Sequence, residues 1–179
     1  MVHEPPPNTG HCIHASAVKV GEQAILIRGP SGAGKSRLAF ELILAGRSGQ
    51  LPPAILVGDD RVHLDTRGGE VWVRPVEQLA GLIEIRGLGI RSCDFASEAR
   101  VGFVVDLMAE DAERLPPAGA LRATINGIFL PRIPIGAAFS PFFQVAAALI
   151  TSETSCSGNL SANCVKGIGN HITGTIATE

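Results

Sequence analysis

The chain has 179 residues, which is enough for one compact domain with a substantial core and too few for two ordinary domains. Hydrophobic residues make up 45% of the sequence and charged residues 18%, a composition that excludes an intrinsically disordered chain. A net charge of -2 gives no reason to expect nucleic acid or an anionic membrane surface as the main partner, and no apolar run is long enough to span a membrane, so we expect a cytoplasmic protein.

The first part of the chain is predicted to form a strand hairpin followed by a helix. Residues 1–10 contain three consecutive prolines and no basic or apolar signal region, so we interpret them as a flexible leader. Two β-like runs, 13–20 and 23–28, are separated by a Gly-Glu turn pair, which predicts a hairpin. The second run leads into a glycine-rich stretch at 29–34. Apolar residues then recur with helical period from Lys35 until Gly46, which is a plausible stop.

The middle of the chain alternates short apolar runs with turns. A strand at 54–57 runs directly into two aspartates, and two apolar runs flank residues 65–70, which predicts a hairpin at the periphery of a sheet. A further strand at 82–85 precedes a second glycine-rich bend. An apolar run at 101–107 ends near Asp106.

The last part of the chain carries the clearest hairpin signal. Asn126-Gly127 separates two β-like runs, and Ser140-Pro141 then opens a final helix, with serine suited to the N-cap and proline to the first turn. From residue 152 the composition falls to Ser, Thr, Asn and Gly without apolar periodicity, so we predict a disordered tail at 152–179.

The glycine-rich stretch matches the phosphate-loop pattern G-x-x-x-x-G-K-[ST] at every fixed position, between a predicted strand and a predicted helix. Its glycines let backbone N–H groups point at phosphate oxygens, and the helix N-terminus adds partial positive charge. Lys35 would lie between the β- and γ-phosphates, and Ser36 would present its hydroxyl to Mg²⁺. The predicted nucleotide-binding residues are Gly29, Pro30, Ser31, Gly32, Ala33, Gly34, Lys35 and Ser36.

These elements together predict an α/β fold. We expect a single P-loop domain over residues 11–151, with a mixed sheet that is richer in hairpins than a plain alternating βαβ fold.

A phosphate loop of this kind needs a carboxylate for Mg²⁺, usually at the end of a nearby strand. Asp59-Asp60 and Asp106 both fit on pattern. Two carboxylates suit a kinase, because the group that accepts the proton can then differ from the metal ligand. The alternative is that Asp59 and Asp60 simply open a turn.

Glu84 is a third acidic candidate, because it stands inside an apolar run. A carboxylate in that setting is costly unless it is paired or bound to a metal. Pairing with Arg86 is the alternative, although neighbouring positions on a strand face different ways.

Four blocks of sequence occur in a fixed order along residues 11–150. They are His14, the phosphate loop at 29–36, Gly58-Asp59-Asp60-Arg61-Val62, and Leu82-Ile83-Glu84-Ile85-Arg86-Gly87-Leu88-Gly89-Ile90. In these blocks the chain resembles the catalytic domain of the HPr kinase/phosphorylase family, and the last block is similar to the signature of that family. The resemblance implies the HPr kinase/PEP carboxykinase-like fold.

The resemblance also implies an activity. The expected activity is that of a serine kinase whose cofactors are ATP and Mg²⁺. The substrate would be HPr, a small phosphocarrier protein of the sugar phosphotransferase system, or a related carrier, so that the enzyme would regulate carbon metabolism. The assembly would be a hexamer.

Roles for individual residues follow from the same resemblance. Asp59 would be the base that deprotonates the acceptor serine, Asp60 would support it, and His14 would lie close to that carboxylate. From the residues alone, His14 would be a strand histidine of no special role.

Further roles concern the transferred phosphate and the metal. Glu84 would join Ser36 at the metal, and Arg86 would lie beside the transferred phosphate. Under the resemblance the implied catalytic residues are Asp59, Asp60, His14, Lys35 and Arg86.

The sequence departs from the family pattern in two places. Typical members carry an additional N-terminal domain, so the chain is expected to be a short form. Residues 135–138 read Ile-Gly-Ala-Ala where the family has a Pro-Gly-Arg-Asn run that serves dephosphorylation, which puts the reverse phosphorylase activity in doubt.

Three other functions stay open. Residues 65–68 have the D-x-x-G form of a GTPase switch, although the pattern is short and falls in a predicted turn. A kinase for a small metabolite would use the same aspartate pair. An ATP-sensing module that regulates a partner without transferring phosphate would need only the phosphate loop.

Overall fold

The structure is a computed structural model that describes residues 10–151, so the predicted tail at 152–179 and all but the last residue of the predicted leader lie outside the described residues. The strands are β1 His11–Ile13, β2 Ser16–Val20, β3 Gln23–Arg28, β4 Ala54–Gly58, β5 Val62–Arg67, β6 Glu70–Pro75, β7 Leu82–Ile85, β8 Gly89–Ser92, β9 Ala99–Leu107, β10 Arg122–Ile125 and β11 Ile128–Ile135. The helices are α1 Lys35–Arg47 and α2 Pro141–Ile150, with a 3₁₀ turn at Glu77–Leu79.

Nine of the strands within residues 10–151 form one mixed sheet, and β7 and β8 form a separate hairpin. The main path runs β1-β5-β6-β9-β3-β2-β4. Strand β9 lies at the centre of the sheet and pairs in parallel with β3 on one side. On its other side, the start of β9 pairs antiparallel with β6 and its end pairs in parallel with β11. The mixed, hairpin-rich α/β sheet predicted from sequence is therefore confirmed.

Alternating side chains of β3 face two apolar cores. Ile25 and Ile27 face the core that α1 and α2 cover, and Leu26 faces a core built almost entirely from strand residues. The central residues of β3 and β9, 24–27 and 103–105, are buried on both faces of the sheet and form continuous apolar runs. The predicted apolar face of α1 is confirmed, since its members are all buried: Leu38, Ala39, Leu42 and Ile43.

Gly46 does not stop α1, which continues to Arg47. A Cβ atom at this position would lie 2.6 Å from the backbone nitrogen of Ala54, at the start of β4. The glycine therefore allows close packing of the helix on the sheet, and the interpretation of Gly46 as a terminator was wrong. The predicted position of α2 is confirmed, but the hydroxyl of Ser140 makes no capping hydrogen bond.

Two further expectations need correction. The run predicted as one strand at 13–20 is broken at residues 14–15, because β1 pairs with β5 whereas β2 pairs with β3 and β4. The β5–β6 hairpin was expected at the periphery, yet β1 covers β5 and β6 pairs with β9, so the hairpin lies inside the sheet.

The β10–β11 hairpin is confirmed where it was predicted. Asn126 and Gly127 both have positive φ, 50° and 79°, as a tight two-residue hairpin turn requires. In the part of the chain that the structure describes, neither helix has the length and apolar character needed to cross a membrane.

Candidate functional site

The phosphate loop joins β3 to α1, as its sequence pattern predicts. Gly34 precedes the first helical residue with φ 95°, and the first bond of the helix runs from Leu38 N to Gly34 O at 2.9 Å. The backbone amides of residues 35–37 come before that bond and point out of the helix end. The loop and the helix N-terminus therefore have a geometry suited to binding an anion.

Lys35 is the first residue of α1 and is only 6% exposed. Its Nζ donates hydrogen bonds to the carbonyl oxygens of Gly29 at 3.0 Å and Pro30 at 3.1 Å, so the lysine draws the loop around itself. Burial lowers the pKa of Lys35, against the opposing effects of the Asp59 and Asp60 carboxylates. Both aspartates therefore lie within electrostatic range of the loop lysine.

Asp59 follows β4 and is 2% exposed. Its Oδ1 accepts a hydrogen bond from Ser16 Oγ at 2.5 Å, and its Oδ2 accepts one from the backbone N–H of Glu84 at 3.1 Å. Contacts from β2 and β7 thus fix the carboxylate at the end of a third strand. Such bonds stabilise a buried carboxylate that would otherwise be costly.

Asp60 has the opposite surroundings. Its side chain is 64% exposed, and its backbone has φ 64°, which is uncommon for a residue other than glycine. A tight turn causes this conformation, because Arg61 N donates to Asp59 O at 2.7 Å. Non-glycine residues held in this region often belong to functional sites.

His14 faces Asp60 across a cleft. Its Nε2 lies 3.4 Å from Asp60 Oδ1. His14 stands between β1 and β2, so the expectation that it lies within a strand was wrong. The cleft has a volume of about 460 Å³. Its lining brings the phosphate loop and the acidic turn together: Cys12, Ile13, His14, Ser31, Asp60 and Arg61.

The β7–β8 hairpin brings Glu84 and Arg86 to the same region. Ile83 points into the core at 2% exposure, so the neighbouring Glu84 side chain is exposed on the other face of β7. An Arg86 Nη2 atom lies 3.8 Å from the position of a Cβ on Gly32, which places the guanidinium over the phosphate loop. Among the described residues neither side chain has an ion pair, so the alternative of a Glu84–Arg86 pair is not seen.

Ser36 is the second residue of α1 and is half-buried. Within residues 10–151 no group of three or more His, Cys, Asp or Glu side chains is placed to hold a metal ion. Mg²⁺ bound with a nucleotide usually takes one or two protein ligands and completes its shell with phosphate oxygens and water. The Ser36 hydroxyl and a single exposed carboxylate fit that donor set.

Asp106, the other carboxylate that the sequence left open, is held by arginines. Arg28 donates from Nε to Oδ1 and from Nη2 to Oδ2 of Asp106, both at 2.7 Å. Arg132 Nε donates to Oδ2 at 2.5 Å. These contacts account for the charge of Asp106 without a metal. The D-x-x-G segment is likewise structural, because Asp65 is buried in β5 and pairs with Arg74 at 3.0 Å.

Sequence reasoning missed Ser16, Arg28 and Arg132. One signal for Ser16 was available, since it is a hydroxyl residue at the start of a mostly apolar run, two residues after His14. The structure shows that it is fully buried. No local signal marks the two arginines, because their common partner lies 78 and 26 residues away in the sequence.

Comparison with known proteins adds three findings. The profile of the HPr Serine kinase C-terminal domain family matches residues 8–111, more than half of the chain. The HPr kinase/phosphorylase of Streptococcus thermophilus is 40% identical over 79 residues, which are 44% of this chain and 23% of that protein. The Streptococcus salivarius protein of the same name is 39% identical over the same shares. The aligned part thus spans about a quarter of the length of these relatives.

A solved structure shares the fold. The structure of the Hpr(Ser) kinase/phosphatase from Coxiella burnetii superposes with a TM-score of 0.62 and 23% sequence identity, covering 76% of this chain and 92% of that one. The family match over more than half of the chain shows that the chain belongs to the HPr serine kinase C-terminal domain family.

Proposed function

We propose that the chain is the catalytic domain of an ATP-dependent kinase that phosphorylates a serine of HPr or of a related phosphocarrier protein. The observation that carries the proposal is the position of Asp59: a buried carboxylate, fixed by two hydrogen bonds, within electrostatic range of the phosphate-loop lysine. The family membership and the names of the curated relatives support this substrate class.

Asp59 is proposed as the base that takes the proton of the acceptor serine. An ionised carboxylate has about four lone-pair sites, and only two are used by Ser16 and by the Glu84 amide, so lone pairs remain for the serine hydroxyl. The two donors also hold the group in one orientation, which a general base needs. Asp60 and His14 would line the path by which the acceptor segment enters the cleft.

The phosphate loop is proposed to bind the triphosphate of ATP. Amides at the start of α1, the Lys35 ammonium and the Arg86 guanidinium would surround the transferred phosphate with positive charge. Mg²⁺, when bound, would neutralise charge on the β- and γ-phosphate oxygens, and Ser36 and Glu84 are the residues that would hold it. The cytoplasmic setting and a hexameric assembly remain predictions.

Only the forward reaction is proposed. Residues 135–138, which begin at the last residue of β11, contain no arginine, whereas the family pattern carries one there for dephosphorylation. Incubation of the phosphorylated carrier with inorganic phosphate should therefore release little pyrophosphate. Robust release would show that the reverse activity does not depend on that arginine.

The direct test uses the purified chain, labelled ATP, Mg²⁺ and HPr. We expect label on a serine of HPr, and we expect Asp59→Asn to bind ATP normally while transfer falls by at least about 10²-fold, since general-base contributions reach 10²–10⁴-fold. Asp94→Asn is the matched control, because Asp94 is 90% exposed and its nearest ion-pair contact is 4.0 Å from Arg47.

Each other outcome points to a rival function. Binding of ATP without transfer to any acceptor would support an ATP-sensing module. Transfer to small metabolites and not to HPr would support a metabolite kinase. Full activity of Asp59→Asn would remove Asp59 from the proposed role.

A further inference from the structure

A cluster of charged residues, Arg28, Asp106 and Arg132, lies on three neighbouring parallel strands. Arg28 is the last residue of β3, and Asp106 is its direct register partner on β9. Arg132 lies on β11, which pairs in parallel with the other side of β9. In sheets of this kind ligands bind at the carboxyl ends of the strands, and the phosphate loop leaves β3 at this same edge.

The contacts within the cluster are close, and both oxygens of the carboxylate accept hydrogen bonds. Arg28 donates a hydrogen bond to each Asp106 oxygen at 2.7 Å, and Arg132, from the strand on the other side of β9, donates to Oδ2 at 2.5 Å. Arg132 is in turn held by Asp111 at 2.6 and 3.0 Å and by the Ala120 carbonyl at 2.8 Å. The Asp106 side chain is 16% exposed and that of Arg132 13%.

Burial raises the pKa of Asp106, but hydrogen bonds from Arg28 and Arg132 outweigh it and keep the pKa below the ordinary value. The carboxylate is therefore fully charged at neutral pH and is neutralised by its two arginines. A charged carboxylate with two such partners is rigid, because paired guanidinium groups fix its plane.

The start of the phosphate loop is tied to β9 in two ways. Arg28, which directly precedes the loop, is held through its side chain by Asp106. The next residue, Gly29, has φ 147°, and a Cβ there would lie 3.0 Å from both Cβ and the carbonyl oxygen of Leu107, the residue that follows Asp106. The Gly29 carbonyl also accepts a hydrogen bond from Lys35 Nζ, so the position of Gly29 sets that of the lysine.

We propose that Asp106 is a positioning residue for the phosphate loop, that it acts through Arg28, and that Arg132 holds it in place. The carboxylate that simple pattern reading would assign to the metal thus aligns the loop instead. This inference rests on the proposed role of the loop in binding ATP.

The test compares Asp106→Asn and the milder Arg28→Lys with Glu98→Gln. Lysine keeps the charge of Arg28 but loses the two-pronged contact. Glu98 is a matched control, since Arg67 also grips both of its oxygens and it lies just before the other end of β9. The measurements are ATP affinity by calorimetry in Mg²⁺ and in EDTA, unfolding temperature, and hydrogen exchange of the amides of residues 29–34.

We expect Asp106→Asn and Arg28→Lys to weaken ATP binding about tenfold, by the same factor with and without Mg²⁺, because a charged hydrogen bond that fixes the loop is lost. Exchange of the loop amides should rise in both. Glu98→Gln should change neither quantity. If Asp106→Asn weakens ATP binding in Mg²⁺ but not in EDTA, Asp106 is a metal ligand, and the proposal is overturned.

Other outcomes are equally decisive. Lower unfolding temperature with normal ATP affinity and normal loop exchange would make the cluster merely structural and would also overturn the proposal. If the unaltered chain binds no ATP, the proposed function fails, and hydrogen exchange of the loop amides alone then tests the role of Asp106. Faster exchange of these amides in Asp106→Asn than in Glu98→Gln would support the positioning role, and equal exchange would refute it.

Discussion

Asp59 and Asp60 are neighbours in the chain that have different surroundings. Asp59 is enclosed and held by a hydroxyl and an amide, whereas Asp60 projects into the cleft opposite His14 from a left-handed turn. Under the proposed function, the fixed Asp59 would take the proton of the acceptor serine, and the exposed Asp60 would line the path by which the acceptor segment enters.

The hydroxyl of Ser16 is expected to orient Asp59. Ser16→Ala removes one of the two donors and leaves a buried carboxylate oxygen short of a partner, so the free energy of unfolding should fall by about 1–3 kcal/mol. If Asp59 is the base, the turnover rate should fall more than the affinity for ATP. Chemical denaturation and steady-state kinetics measure the two effects.

Ser16→Thr is the matched control, since it keeps the hydroxyl. It should restore most of the turnover that alanine loses. An alanine variant with normal turnover would show that the Ser16 contact supports the fold and not the chemistry.

The contact between α1 and β4 depends on a glycine. In Gly46→Ala, the new methyl group would meet the backbone nitrogen and the Cβ of Ala54 at 2.6 and 2.7 Å, and backbone cannot move aside as a flexible side chain can. We expect a loss of about 1–3 kcal/mol in the free energy of unfolding, as for other overpacked sites. Urea denaturation measures it.

Gly49→Ala separates steric conflict from backbone conformation. Gly49 has φ 75°, and a Cβ there would meet nothing within 4 Å, so its cost comes from conformation alone. If Gly46→Ala is no more destabilising than Gly49→Ala, the helix does not pack on β4 as tightly as described.

The charged cluster at Asp106 ties three strands together and should make stability depend on pH. The folded-state pKa of Asp106 lies below its ordinary value of 3.8, so its stabilising contribution is complete above that pH and is lost as the pH falls through the folded-state value. At pH 7, Asp106→Asn should lower the free energy of unfolding by about 1–3 kcal/mol. The difference from the unaltered chain should shrink below pH 3.8.

Urea denaturation at neutral and acidic pH measures that difference. Glu98→Gln, which alters a more exposed arginine-paired carboxylate, should show a smaller gap at neutral pH. A gap for Asp106→Asn that stays constant down to the lowest pH would contradict a lowered pKa.

Much of the fold was predictable because its signals are local. The phosphate loop, the helix after it and the Asn126-Gly127 hairpin each follow from a few consecutive residues. The break at residues 14–15 and the interior position of the β5–β6 hairpin were not predictable, because they depend on which strands become neighbours.

The sequence alone determined that a loop with the phosphate-loop pattern lies between a buried strand and a helix, and that Asp59 and Asp106 stand at the ends of two other apolar runs. It did not distinguish Asp59 from Asp106. Only the tertiary structure separated them, since Ser16, 43 residues from Asp59, and arginines 78 and 26 residues from Asp106 give the two carboxylates different environments. A pattern of consecutive residues shows which groups end a strand, whereas the charge partners of each group are set by the order of the strands in the sheet.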